Sequence, residues 1–368
     1  MECSDWGERS PRWAGIRSQT AEVCGSSVHF LTADAARPQA PTHLLVHGMA
    51  GSATNWLDTI RPLTAHGQVI APDLPGTLAG HTVSPHRRAP RAEPNARFLR
   101  AFTATLGLRD VVAHGWSMGG LVALLFAGLV PRRAGGLVLV APALPGPLSA
   151  AQALGWQTLG RLTVSAGPPV LRGLLRLTGR RLLELKTRRY ATPGAPSADD
   201  LAYLGGDPSR LSHDITALWA QELDRIRAQP DRLPDAVTAF ASAVSAIYVN
   251  RRPVWDAIDR VSVPTLLLWG DQDPLIGRPV IDNLIARRPD RDLRTHESAG
   301  HLLPLEVATA YADVAGEWWR QAASPRRTPA ARPRHGAPGS GPSGMCDRRH
   351  HHHDGLPEAG ERHGWVEN

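Results

Sequence analysis

The chain has 368 residues, 42% of them hydrophobic, which is enough for a sizeable core and excludes a wholly unfolded polypeptide. Its formal net charge is +7, and Lys186 is the only lysine, so the basic character is almost entirely arginine. No segment interleaves a dense basic stripe with aromatics, which excludes the usual sequence signature of nucleic-acid binding.

In chain order, Met1 to Ser27 is polar and of mixed charge. It lacks the apolar stretch of a secretory signal, and residues 1–16 read as a poorly ordered extension. Short strands are predicted at Val28–Thr32, Thr42–Val46 and Gly67–Ala71, the second stopping at His47-Gly48 and the third at Pro72-Asp73. Asn95–Leu106 has helical spacing, with Leu99, Phe102 and Leu106 on one face. Val111–His114 is a strand that runs into Gly115-Trp116-Ser117-Met118-Gly119-Gly120, and Leu121–Val130 is an apolar helix closed by Pro131. Gly136–Ala141 is the next strand. Strands alternating with helices predict an α/β fold, a mostly parallel doubly wound sheet over residues 17–144 and again over 253–323.

Between them, residues 145–252 lose strand character. Helices are predicted at Leu148–Leu159, Val170–Leu177, Arg180–Arg189, Asp199–Leu204, Ser212–Ala228 and Pro234–Val249. An inserted helical cap over the strand ends follows, where α/β folds place ligands. Strands resume at Thr265–Trp269 and Asp292–Glu297, and Pro304–Ala323 closes the body as a helix. Residues 324–368, beginning SPRRTPAARPRHGAPGSGPSG, have almost no large apolar side chain and read as a disordered tail. His350–His353 within it read as low-complexity sequence, with weak metal capture as the alternative.

Cys3, Cys24 and Cys346 are odd in number, which argues against a disulfide framework and for a reducing, cytoplasmic setting. No apolar run reaches 18 residues, so no transmembrane segment is predicted. No C-x-x-C or H-E-x-x-H spacing appears, so neither a metal nor a cofactor is predicted.

Gly115 to Gly119 match G-x-S-x-G between a strand and a helix. Such a turn exposes the Ser117 hydroxyl, and the flanking glycines let strand and helix pack closely. Seryl nucleophiles need an imidazole base, and the base needs a carboxylate that orients it. Asp271 and Asp273 follow one strand and His301 follows another, so all three can converge on Ser117.

Together, His47-Gly48, Asp73-Leu74-Pro75-Gly76, Gly115 to Gly120, Trp269 to Pro274 and Ala299-Gly300-His301 resemble the α/β-hydrolase superfamily over about residues 28–323. The resemblance implies a Ser117, Asp273 and His301 triad, with Asp271 the competitor for the acid. It implies an oxyanion hole from the amides of Met118 and Met49, with Trp56 either lining the pocket or packing beneath it. The implied activity is cleavage of a small-molecule carboxylic ester or thioester through an acyl-enzyme. Serine at position 117 argues against epoxide hydrolases and haloalkane dehalogenases, whose elbow carries Asp. Gly-Trp-Ser-Met-Gly is similar to small carboxylesterases. Carbon–carbon bond hydrolases of ring-cleavage products rank second, because they more often carry Asn before the serine and a Gly-richer oxyanion loop. A lyase, a cofactor-free oxygenase or a binding protein of the same fold is the remaining alternative. After Gly76, relatives commonly continue with an aromatic, Gly and Ser. This chain reads Thr77-Leu78-Ala79-Gly80-His81, then a Pro/Arg-rich stretch to Pro94, which bears on substrate preference and leaves the triad untouched.

Arg172, Arg176 and Arg180 recur every four residues and share one helix face if the helix at Val170–Leu177 continues to 180. A solvated face is the plain reading; an acidic carrier protein or an anionic lipid headgroup is the functional alternative. Trp156, Tyr190, Tyr203, Trp219 and Tyr248 are candidates for an apolar acyl pocket or for core.

Overall fold

The computed structural model describes residues 5–37, 40–83, 91–169, 207–227, 229, 232–324 and 364–367. Among the described residues nine strands form one sheet in the order β1-β2-β4-β3-β5-β6-β7-β8-β9. They are β1 (Arg17–Val23), β2 (Ser26–Ala33), β3 (Thr42–Val46), β4 (Gln68–Pro72), β5 (Val111–Trp116), β6 (Ala134–Val140), β7 (Thr265–Gly270), β8 (Asp292–His296) and β9 (Trp365–Glu367). The six from β4 to β8 are parallel, while β1, β2 and β9 run antiparallel at the two edges. The α/β sheet predicted from alternation is therefore present, with β1 and β9 added.

Helices are α1 (Leu57–Leu63), α2 (Ala92–Thr105), α3 (Met118–Leu129), α4 (Ala150–Gly155), α5 (His213–Arg227), α6 (Leu233–Val244), α7 (Arg252–Arg260), α8 (Arg278–Arg287), α9 (Leu303–Glu306) and α10 (Ala308–Ala323). The central strands β3 to β7 carry apolar residues at consecutive positions, because both sheet faces are buried. Leu44 and Val46 enter one core with α2, α3, α7 and α8. Leu45 enters the other with α1, α9 and α10. Val111 and Ala113 against Val112 repeat the split, as period-two geometry requires.

The N-terminal expectation is corrected. Residues 5–16 form two short 3-10 turns, Trp6–Glu8 and Pro11–Trp13, capped by the side chains of Asp5 and Ser10. Trp6, Trp13 and Ile16 are buried in the second core. Trp13 Nε1 donates to Asp58 Oδ1 at 2.7 Å. Three large apolar side chains, spaced too widely to look like an element, provide the burial that orders the segment. The tail is corrected at its end: Trp365–Glu367 pairs with β8, and Trp365 packs edge-on against His296 at 5.0 Å.

Between β6 and β7 the described residues are helical, at α4 and its continuation through 169, at α5, and at α6 with its continuation through Val249. The predicted helices at 170–177, 180–189 and 199–204, and with them Arg172, Arg176, Arg180, Tyr190 and Tyr203, lie outside the described residues. The other pocket candidates from the sequence are half-buried: Trp156 and Tyr248 stack on each other at 4.6 Å, and Trp219 packs against the second core. Among the described residues no helix is long and apolar enough to cross a membrane.

Candidate active site

Ser117 occupies the turn between β5 and α3 with φ +56°, in the left-handed region that non-glycine residues avoid. Such a conformation costs about 1–3 kcal/mol and persists only where its surroundings over-determine it. Here Ser117 N donates to Val140 O at 2.9 Å, and Ser117 O accepts from Gly120 N and Ala143 N. The glycines are steric requirements. A Cβ on Gly119 would lie 2.3 Å from Val46 O, and one on Gly115 would lie 2.4 Å from Gly119 O. Ala50, Ala141 and Ser298, also at positive φ, sit just past β3, at the end of β6 and just past β8, so backbone strain gathers at this edge of the sheet.

His301 follows β8, and two contacts fix it. Its Nδ1 lies 2.8 Å from Asp273 Oδ2, and its carbonyl accepts from Trp116 Nε1 at 2.8 Å. The second contact anchors His301 to the residue preceding Ser117. Asp273 is buried, and its other oxygen accepts the amides of Leu275 and Ile276 at 2.8 and 3.0 Å. Asp271 instead accepts from Ser298 N at 2.7 Å on the surface. The structure thus brings Asp273 to His301 and turns Asp271 away.

The loop after β3 crosses the elbow: a Cβ on Gly48 would come 3.4 Å from Ser117 Cβ. Met49 is the next residue of that loop, and Met118 begins α3, whose first N–H groups have no carbonyl a turn back. Burial lowers the His47 pKa and keeps the ring neutral. Its Nε2 accepts from Leu74 N at 3.1 Å, so Nδ1 carries the proton and donates to Gly48 O at 2.8 Å. That contact fixes the peptide leading into Met49. Trp56 is fully buried against Trp116 and Tyr311, a packing role.

Of the further supports, Asp73 lay in a motif of the family resemblance, while His29, His81 and Glu222 had no sequence signal beyond residue type. Asp73 is fully buried; Oδ1 accepts from Ala53 N at 2.6 Å, while Oδ2 takes His29 Nδ1 at 2.9 Å and His81 N at 2.6 Å. Burial pushes its carboxyl up, but the hydrogen bonds from His29 and His81 outweigh this and hold it well below the usual carboxylate range. Donor atoms of His29, Asp73 and His81 lie within 4.8 Å of one another. Arg225 packs on His81 Nε2, so the three groups are already engaged by protein contacts. Glu222, buried on α5, accepts from Thr54 Oγ1 at 2.6 Å, and burial raises its pKa. A cavity of about 430 Å³ lies beside it, with His29, His81 and Arg225 in its wall.

The sequence profile of the alpha/beta hydrolase family matches residues 44–314. A 2-hydroxy-6-oxononadienedioate/2-hydroxy-6-oxononatrienedioate hydrolase of Cupriavidus pinatubonensis is 28% identical over 282 residues, covering 74% of this chain and 84% of its own. A pimeloyl-[acyl-carrier protein] methyl ester esterase of Vibrio campbellii is 28% identical over 267 residues, covering 72% and 88%. Among solved structures, a serine hydrolase from Cycloclasticus zankles, a polyaromatic-hydrocarbon-degrading bacterium, aligns with a TM-score of 0.60 at 19% identity, covering 84% of this chain and 100% of its own.

Proposed function

The chain belongs to the alpha/beta hydrolase family and is a hydrolase of small molecules, and from that premise we propose that it cleaves a carboxylic ester or thioester through an acyl-enzyme on Ser117. The observation that carries this reading is His301, held between Asp273 and the backbone neighbour of a strained, elbow-borne serine. In this reading Ser117 Oγ attacks the acyl carbonyl while His301 Nε2 takes its proton. Asp273 keeps the proton of His301 on Nδ1 and stabilises the imidazolium. The Met49 and Met118 amides hold the developing oxyanion. His301 returns the proton to the leaving alcohol or thiol, and water, deprotonated by His301, releases the acid. Residues 145–252 act as the cap that bounds the acyl pocket.

The likeness to ring-cleavage hydrolases favours a second reading, carbon–carbon bond cleavage of a vinylogous diketo acid. Against it, Trp116 stands where those enzymes more often carry Asn, and its single side-chain donor is spent on His301 O. Turnover of p-nitrophenyl esters of graded chain length, beside a 2-hydroxy-6-oxodienoate, separates the two. Ester turnover that exceeds dienoate turnover in kcat/KM and disappears in Ser117→Ala supports the first reading, and the reverse preference replaces it. Arg172, Arg176 and Arg180 are proposed to dock an acidic acyl carrier protein. Their triple replacement by Glu then raises KM for a carrier-linked ester and leaves free esters unaffected. Equal KM values remove the docking role.

A further inference from the structure

We propose that Glu222 is a positioning residue: from α5 it holds the turn that carries the Met49 amide, so that seating of the helical insert and assembly of the oxyanion site are one event. The inference rests on the serine-hydrolase reading of Ser117.

The turn is fixed on its sheet side by His47 on Gly48 O and by Asp73 on Ala53 N, and within itself by Asn55 Oδ1, which accepts from Ser52 N. Its two buried hydroxyls point the other way. Ser52 Oγ lies 2.5 Å from Thr54 Oγ1, and Thr54 Oγ1 donates to Glu222 Oε1 at 2.6 Å. Ser52 Oγ is itself 3.4 Å from the same carboxylate oxygen. The sequence separation is 168 residues, so this is a tie between the insert and the first half of the sheet domain.

The residue type is the informative point. Ile215, Leu218, Glu222 and Arg225 fall on one face of α5, and the first two are buried in the second core. Packing alone would be served by another leucine at 222, because a buried carboxylate is costly unless it is fully engaged. The remaining seats of α5 already hold the helix. Ser212 Oγ bonds Asp58 at 2.6 Å, Ser10 Oγ bonds Asp214 at 2.5 Å, and Arg225 bonds Ala79 O. Glu222 therefore adds little to seating the helix and much to fixing the turn, in which Ala50 adopts φ +60° just after Met49. An oxyanion donor displaced by an ångström loses most of its effect.

The experiment uses the full chain. It measures p-nitrophenyl ester kinetics and the rate at which a fluorophosphonate labels Ser117, for Glu222→Leu and Glu222→Gln. Glu222→Leu is expected to lower kcat and the labelling rate by roughly ten- to a hundredfold, with KM within about threefold. Glu222→Gln keeps an acceptor oxygen and restores most of the rate. A folded Glu222→Leu at the wild-type rate, or a folded Glu222→Gln as slow as Glu222→Leu, overturns the proposal. Should wild type itself resist labelling, the serine-hydrolase reading fails, an outcome distinct from rapid labelling in every variant.

Discussion

The elbow around Ser117 and the brace formed by residues 5–16 with α5 meet on the same domain, yet they are built differently. At the elbow, six consecutive residues from Gly115 to Gly120 create a strained turn, in which Gly115 and Gly119 avoid backbone clashes and Gly120 avoids one with the Pro142 ring. In the brace, order comes from side chains far apart in sequence. Trp13 bonds Asp58, Ser10 bonds Asp214, Arg9 bonds Gln221 and Glu222 bonds Thr54. The first kind of structure is a local steric pattern and the second a set of long-range polar contacts. The contrast teaches where the chemistry is placed and what keeps it placed.

The sharpest contrast concerns the carboxylate. Asp273→Asn should lower kcat by about 10⁴-fold, because the amide donates where His301 Nδ1–H needs an acceptor. Asp271→Asn should stay within about threefold of wild type. Equal losses in the two would break the account of the elbow.

Trp13→Ala tests the brace. It removes a fully buried indole and leaves Asp58 without that donor, so unfolding free energy should fall by about 3–5 kcal/mol. Chemical denaturation measures it. A change below about 1 kcal/mol would restore the picture of a loose N-terminal extension.

Beneath both regions, His43 Nδ1 meets His114 Nε2 at 2.9 Å, and His114 Nδ1 meets Tyr311 Oη at 2.6 Å, all buried. Burial lowers the His43 pKa to about 4 and pushes His114 well below its ordinary value. These groups are neutral when folded and take up protons on unfolding. The unfolded chain thus binds more protons below its histidine pKa near 6.5. Stability should fall as pH drops from about 6.5 to about 4, by about 3 kcal/mol for His43. A His43→Asn variant should show a flatter profile across that window. Identical slopes in the two proteins would remove His43 from the account.

The smallest effect is at Ser10, where Ala should cost about 1 kcal/mol through the lost cap and the lost Asp214 contact. Unchanged stability would leave Trp6 and Trp13 as the whole brace.

The same contrast explains what could be read from residues alone. All seven predicted strands are present, and β3 to β7 were legible because a doubly covered parallel sheet needs apolar runs. The pairing of Asp273 with His301 followed from motifs at strand ends. Residues 5–16 escaped notice because Trp6, Trp13 and Ile16 have neither helical nor strand spacing. β1 escaped because its pattern, Arg17 to Val23, is mostly exposed. Glu222 lies in the helix predicted at Ser212–Ala228 with no motif around it. Only the fold brings it to Thr54, and nothing in its local sequence marks it as buried.

The central claim is that Ser117 is an activated nucleophile. Intact-protein mass after fluorophosphonate treatment, followed by peptide mapping, tests it most directly. The account predicts one adduct, on Ser117, absent in Ser117→Ala and formed far more slowly in His301→Ala. No adduct on the folded wild-type protein, or an adduct that persists in Ser117→Ala, would contradict it.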